Sequence, residues 1–161
     1  DDVADHVLAH NISQTGTLTI ASETAATNHQ IYERLMLSLE ARGVLDRAVE
    51  GLPTSEEMAV RADEKAWLTR PEKAVLLAWS KIVLFDDIVA SNVPDDPYFK
   101  PVLEGYFPDA LHKYSGVMDD HRLKREIIAT VLANRLFDIG GIDALQFISE
   151  MEDAGYIRHR R

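Results

Sequence analysis

The chain has 161 residues, of which 46% are hydrophobic, and it carries a formal net charge of -10. This length is sufficient for a packed core, and the absence of cysteine excludes disulfides and thiolate metal sites. The acidic balance disfavours nucleic-acid and membrane partners, because such a surface repels phosphate groups. We therefore expect a cytoplasmic protein that binds neither nucleic acid nor a membrane. Residues 1–66 are its most acidic part, with 12 acidic and 5 basic side chains.

The first part of the chain predicts two helices. Residues 1–20 have apolar side chains at helical spacings, and a break is expected near Thr15-Gly16-Thr17, where β-branched residues flank a glycine. Residues 23–42 form the second helix, and Gly43 follows as its terminator. The apolar positions are Val3, Val7, Leu8 and Ile12 in the first helix, and Ile31, Tyr32, Leu35, Met36 and Leu39 in the second.

Two capping boxes mark the next helix starts. Thr54 with Glu57 predicts a short helix toward Lys65, after a turn or short helix at residues 45–49. Thr69 with Glu72 opens the most apolar stretch, residues 69–85, which we expect to be surrounded by other helices and to end near residue 91. Leu77 is predicted to lie in the core.

The remainder of the chain also reads as helical. Two short pieces are expected at residues 98–106 and 108–114, with their aromatic side chains filling gaps between helices. A long helix at 119–139 ends at Gly140-Gly141, and a last helix covers 142–154. The fold class is therefore all-α, an irregular antiparallel multi-helix bundle. We expect one helical domain over residues 1–161, with an acidic part at 1–66 and a helical core at 67–161.

No catalytic, cofactor-binding or metal site is visible in the sequence. His6 and His10 have the four-residue spacing of a zinc-binding pair, but the residues between them include no glutamate and no third ligand is evident. We therefore expect two histidines without a metal ion. The carboxylate pairs Asp86-Asp87 and Asp95-Asp96 lack the alternating spacing of a calcium loop, so helix capping and solvation account for them.

A row of polar residues beside an apolar helix face is the strongest candidate for a contact surface. Positions 122, 126, 130 and 134 are each four apart and share one side of a helix. This row favours a neighbouring helix or solvent over a ligand, because binding pockets usually draw residues from several segments. The candidate contact residues, within the parent chain or between subunits, are Arg122, Arg125, Glu126, Thr130 and Asn134.

Several stretches resemble the C-terminal region of the large bacterial NAD-specific glutamate dehydrogenases. They are TRPEKAVLLAWSK within residues 68–82, VPDDPYFKPVLEGYFPDAL at 93–111 and HRLKREIIATVLAN within 121–136, in the order and spacing of that family. Residues 1–15 and 39–53 are similar to the region directly upstream, so the resemblance covers nearly the whole chain. The chain also begins without methionine, and we expect it to be a piece of a longer polypeptide.

The resemblance implies a parent enzyme that converts L-glutamate, NAD and water to 2-oxoglutarate, ammonia and NADH. In that family the catalytic residues and the dinucleotide-binding segment lie upstream, so no catalytic or cofactor residue is carried over. The implied role of this chain is structural, in assembly or in regulation, and we expect it to be inactive alone. The implied partners are the rest of the parent chain and further subunits of a homo-oligomer.

Two other interpretations remain open from the residues alone. A free-standing helical interaction module would have a native open reading frame close to this length. A small metal-dependent hydrolase using His6 and His10 would contain stoichiometric zinc, and we expect none.

Overall fold

The computed structural model describes residues 2–153, and within them every regular element is a helix. This confirms the all-α fold class. Short 3-10 turns at Val93–Asp95, Pro97–Phe99 and Asp109–Tyr114 connect the helices in the middle of the chain. The α-helices in chain order are α1 Asp2–Glu23, α2 Ala25–Ala41, α3 Arg47–Glu50, α4 Ser55–Asp63, α5 Arg70–Ala90, α6 Lys100–Glu104, α7 Ser115–Met118, α8 Lys124–Gly140 and α9 Ala144–Asp153.

Helix α1 runs unbroken through the position where the sequence predicted a break. The Thr17 hydroxyl donates to the Ser13 carbonyl at 3.2 Å, and the Thr19 hydroxyl donates to the Thr15 carbonyl at 2.9 Å. Each hydroxyl therefore bonds to the preceding helical turn, and Thr17 is buried. The predicted break is wrong because burial of Thr17 and Ala21 and the packing of α1 against α2 outweigh the low helix propensity of threonine and glycine.

Both predicted capping boxes are present. The Glu57 amide donates to the Thr54 hydroxyl at 3.2 Å, while the Thr54 amide donates to the Glu57 carboxylate at 2.8 Å. At the start of α5 the Thr69 amide donates to the Glu72 carboxylate at 2.6 Å, and the Glu72 amide reaches the Thr69 hydroxyl at 3.4 Å. Four orphan donors of two helix starts are thereby satisfied.

The long helices end where the sequence predicts, but one of them, α8, begins later than predicted. Gly43 and Gly141 have φ angles of +71° and +78°, the left-handed conformation that stops a helix. Helix α8, however, begins at Lys124 rather than at residue 119. The preceding segment forms a turn, in which the Leu123 amide donates to the His121 ring at 3.1 Å. The predicted end of the last helix, at Ala154, lies outside the described residues.

The chain divides into two compact units, residues 1–80 with 137–161 and residues 81–136. In the first unit, α2 packs against α1, α4 and α9. The side chains that fill the interior of this unit include Tyr32, Leu35, Met36 and Leu39 of α2, each at most 1% exposed. The predicted stripe of α2 therefore forms a core, and Leu77 of α5 is buried as predicted. The expectation of one domain with parts at 1–66 and 67–161 stays a prediction.

The second unit has its own small core of Leu103, Met118, Ile127 and Ile128, against which Phe99 and Phe107 pack. The tyrosines of this region behave differently from the phenylalanines. Tyr98 is 80% exposed, and Tyr106 and Tyr114 are each 55% exposed. The prediction that all these aromatics fill gaps is wrong for the tyrosines, because in the adjacent pairs 98–99 and 106–107 only the phenylalanine packs against the core.

Candidate functional site

Arg125 binds the end of α5 and the turn that follows it. One guanidinium nitrogen pairs with the Asp95 carboxylate, and the other donates to the main-chain carbonyls of Val89, at 2.8 Å, and of Ser91. Carbonyl groups at the end of a helix have no partner within the helix. The guanidinium therefore caps α5 through a contact within the chain.

Thr130 and Asn134 lie on a groove between α5 and α8. The groove has a volume of about 400 Å³. Its apolar lining includes Ile82, Phe85 and Ala133, and Lys81 and Asp86 also lie at its surface. Ile82 is 48% exposed, which is unusual in α5, where Leu76, Leu77, Val83 and Leu84 are all buried. The groove has apolar contact area and two polar side chains that could bind a partner by hydrogen bonds. Nothing in its lining resembles a nucleophile with a base.

The other members of the predicted row are placed differently. Arg122 is exposed in the turn before α8, so it does not share the face of the helix. Glu126 is half-buried, and its main-chain carbonyl accepts the Thr130 hydroxyl at 2.7 Å. The structure thus brings Thr130 and Asn134 together on the groove, whereas Arg125 turns to the end of α5. Whether these residues contact other parts of a parent chain or another subunit stays a prediction.

The candidate metal ligands do not form a cluster in the part of the chain that the structure describes. Within it, no group of three or more histidine, aspartate or glutamate side chains is arranged to hold an ion. His10 lies 2.7 Å from the Gln14 amide nitrogen, and the side chain of His6 lies outside the described residues. Asp96 caps the turn at the Tyr98 amide, at 2.9 Å, as the capping interpretation predicts.

A buried arginine that the sequence analysis missed connects α3 to α2. Arg47 is 5% exposed, and its two terminal nitrogens contact both carboxylate oxygens of Glu33 at 3.1 and 3.2 Å. The guanidinium also pairs with Glu40 at 3.0 Å and donates to the Pro53 carbonyl at 3.1 Å. The sequence gives no signal for this network. Its two glutamates are seven residues apart on a helix, and their contact with the later arginine depends on how the turn at 42–46 folds back. This network holds α3 and the turn before α4 against α2.

Comparison with known proteins gives a consistent match. The family model described as "Glutamate dehydrogenase, C-terminal" matches residues 65–156. An NAD-specific glutamate dehydrogenase of Pseudomonas aeruginosa is 44% identical over 151 residues, which are 93% of this chain and 9% of that protein. Proteins of the same description from Halomonas elongata and Mycobacterium tuberculosis are 41% and 35% identical over 143 residues, in each case 88% of this chain and 9% of the relative.

This chain therefore spans about a tenth of the length of these relatives. No solved structure matches it. Among the described residues, no helix has the length and apolar character needed to cross a membrane.

Proposed function

Because the chain belongs to the C-terminal glutamate dehydrogenase family, we propose that it is a supporting domain of a large NAD-specific glutamate dehydrogenase. In this proposal the parent enzyme oxidises L-glutamate with NAD, in the cytoplasm, and this chain contributes no catalytic or NAD-binding residue. Its role is to hold the parent polypeptide together or to join subunits of a homo-oligomer.

The observation that carries this proposal is the apolar groove between α5 and α8. An apolar groove between two helices fits an amphipathic helix, which places anchor residues at successive turns. The half-exposed Ile82 offers such a helix apolar area, and Thr130 and Asn134 offer it hydrogen bonds. The relatives have about ten times the length of this chain, so most of a polypeptide of that size would lie outside it. The proposed occupant is a helix from that part of the same polypeptide.

The test places a long charged side chain in the groove of the full-length polypeptide that contains this chain. Thr130 is exposed, so Thr130→Arg leaves the core of α8 intact while it blocks the groove. Thr27→Arg is the matched control, because Thr27 is also an exposed threonine on a helix and lies outside the groove. Subunit mass, thermal unfolding temperature and glutamate-dependent NAD reduction are measured on the same purified peak.

We expect the Thr130→Arg protein to lose thermal stability and activity, whereas the Thr27→Arg protein behaves as the unmodified one. Equal behaviour of the two variants would refute the groove as the contact. A native subunit close to 161 residues, inactive with glutamate and NAD, would refute the parent enzyme and favour a free-standing interaction module.

A further inference from the structure

The outward face of α1 is an exposed apolar surface, separate from the groove of the proposed function. Leu8 and Ile12 lie one helical turn apart on this face, and they are 59% and 63% exposed. Thr17 and Ala21 lie on the opposite side of the helix and are buried, and α1 packs against α2. Large apolar side chains that stand together in solvent are typical of an interaction surface.

The residues of this outward face are spaced symmetrically about Ile12. Positions 5, 8, 12, 16 and 19 are separated by three, four, four and three residues, so all of them project from one side of α1. The same spacing is obtained when the helix is read backwards. A second α1 that lies antiparallel on the first, with position 12 of both at the centre, therefore places position 8 opposite 16 and position 5 opposite 19.

Positions 8 and 16 are complementary in shape. Leu8 is large and exposed, whereas a methyl group added at Gly16 would have no atom within 4 Å. Leu8 of one copy would therefore find open space at Gly16 of the other copy. The missing side chain also lets two helices approach to the short end of the usual interaxial range of about 8–10 Å.

Positions 5 and 19 are complementary in charge. The exposed Arg70 guanidinium lies at position 19, where it donates to the Thr19 hydroxyl at 3.2 Å and to the Thr15 carbonyl at 3.1 Å. A guanidinium has five N–H groups, so others remain for a carboxylate from a second copy. Asp5 of that copy can accept them while it keeps its interaction within its own chain. Positions 1 and 23, further out, are both acidic, and the Arg70 contact offsets their repulsion.

We propose that α1 is a subunit contact, in which the outward faces of two copies of this chain pair antiparallel about a two-fold axis at Ile12. A two-fold interface has to be self-complementary, because every contact of one residue with another is repeated in reverse. Spacing, shape and charge meet this requirement about the same centre, which favours a second copy over an unrelated segment. The inference depends neither on the groove between α5 and α8 nor on the identity of the parent enzyme.

The test introduces cysteine at Ile12 of the full-length polypeptide and oxidises the protein under mild conditions. Ile12→Cys lies on the proposed axis, where the sulfur atoms of two copies meet. A disulfide between two identical peptides at position 12 comes only from two copies, so mass spectrometry of the digested protein detects this contact even when other interfaces join the subunits. Asn11→Cys is the matched control, because Asn11 is also exposed but projects from another side of α1.

A double variant, Leu8→Cys with Gly16→Cys, tests the direction of the pairing. Antiparallel helices form a disulfide between positions 8 and 16 of different copies. Within one helix these positions are about 12 Å apart along the axis, which is too far for a disulfide, whose Cα atoms lie within about 7 Å. Disulfides from 8 to 8 and from 16 to 16 would instead indicate parallel helices.

We expect a disulfide yield at position 12 several-fold higher than at position 11, and the 8-to-16 product from the double variant. Asp5→Arg, added to Ile12→Cys, should lower the yield several-fold, and Arg70→Asp in the same protein should restore much of it. Equal yields at positions 11 and 12, parallel products, or an unchanged yield with Asp5→Arg would each overturn the proposal. Protection of position 12 from alkylation without a disulfide would also overturn it, because another segment would then cover this face.

Discussion

Replacing Arg47 by methionine tests the buried ion pair in the most direct way. Methionine keeps much of the apolar stem but removes four contacts, two to Glu33, one to Glu40 and one to the Pro53 carbonyl. Removal of one partner from a buried pair typically costs about 3–5 kcal/mol, because the remaining charge stays buried.

The surroundings of the two glutamates place the expected loss near the lower limit of that range. The Glu33 side chain is 21% exposed and also accepts the Ser55 hydroxyl at 2.6 Å, and the Glu40 side chain is 35% exposed. Water can therefore solvate both carboxylates in part after the substitution. We expect Arg47→Met to lower the free energy of unfolding by about 3 kcal/mol.

The assay is urea unfolding followed by circular dichroism. The control is Arg34→Met, whose partner Glu150 lies at 2.7 Å, because both side chains of that pair are more than 40% exposed. Exposed pairs contribute about 0–1 kcal/mol, so the control should change little. A loss for Arg47→Met no larger than the loss for Arg34→Met would refute the reasoning that burial makes this pair important.

Three further comparisons, with five substitutions in all, follow from the described packing and can be measured by the same unfolding assay. Leu77→Ala should lower the free energy of unfolding by about 2–5 kcal/mol, whereas Ile82→Ala, at a half-exposed site, should lower it by under about 1 kcal/mol. Equal losses would mean that Leu77 does not lie on the buried face of α5. Gly141→Ala should cost about 1–2 kcal/mol because of its positive φ, whereas Gly16→Ala, with open space around the added methyl group, should stabilise α1 by about 0.5–1 kcal/mol. Opposite signs for this glycine pair are the expected result, and a gain at both sites would contradict it. Burial raises the pKa of Glu72, but hydrogen bonds from Thr69 and Arg61 outweigh burial and hold it below the ordinary value of 4.5. The stabilising contribution of the Glu72 carboxylate is therefore complete above pH 4.5 and is lost as the pH falls through the lower folded-state pKa. The Glu72→Gln protein should therefore lose less stability than the unmodified protein between neutral and acid pH.

The helices were predictable where the sequence carries local signals. Thr54, Thr69, Gly43 and Gly141 mark helix ends through hydrogen bonds or backbone angles that involve only nearby residues, and the structure confirms all four. The break expected at Gly16 does not occur, because propensity alone cannot show that Thr17 is buried and that α1 packs against α2.

The sites were less predictable because they depend on contacts between distant segments. The four-residue spacing placed Thr130 and Asn134 on one face, and both lie on the groove. The same spacing included Arg122, which falls outside the helix because α8 starts five residues later than expected. The buried pairing of Arg47 with Glu33 and Glu40 has no sequence signal, since it depends on how the turn at 42–46 folds back onto α2.

The contact of Arg125 with the end of α5 has a consequence for the chain between them. Ser91 and Arg125 are 34 positions apart, so this contact closes a long loop at its two ends. The entropy of loop closure grows slowly, and doubling the length of a flexible loop adds only about 0.6 kcal/mol. Residues inserted at an exposed stretch of this loop that is not part of the core, such as residues 109–113, should therefore change stability little, because both attachment points would be retained. The segment is consequently a suitable place for length variation or for an inserted tag.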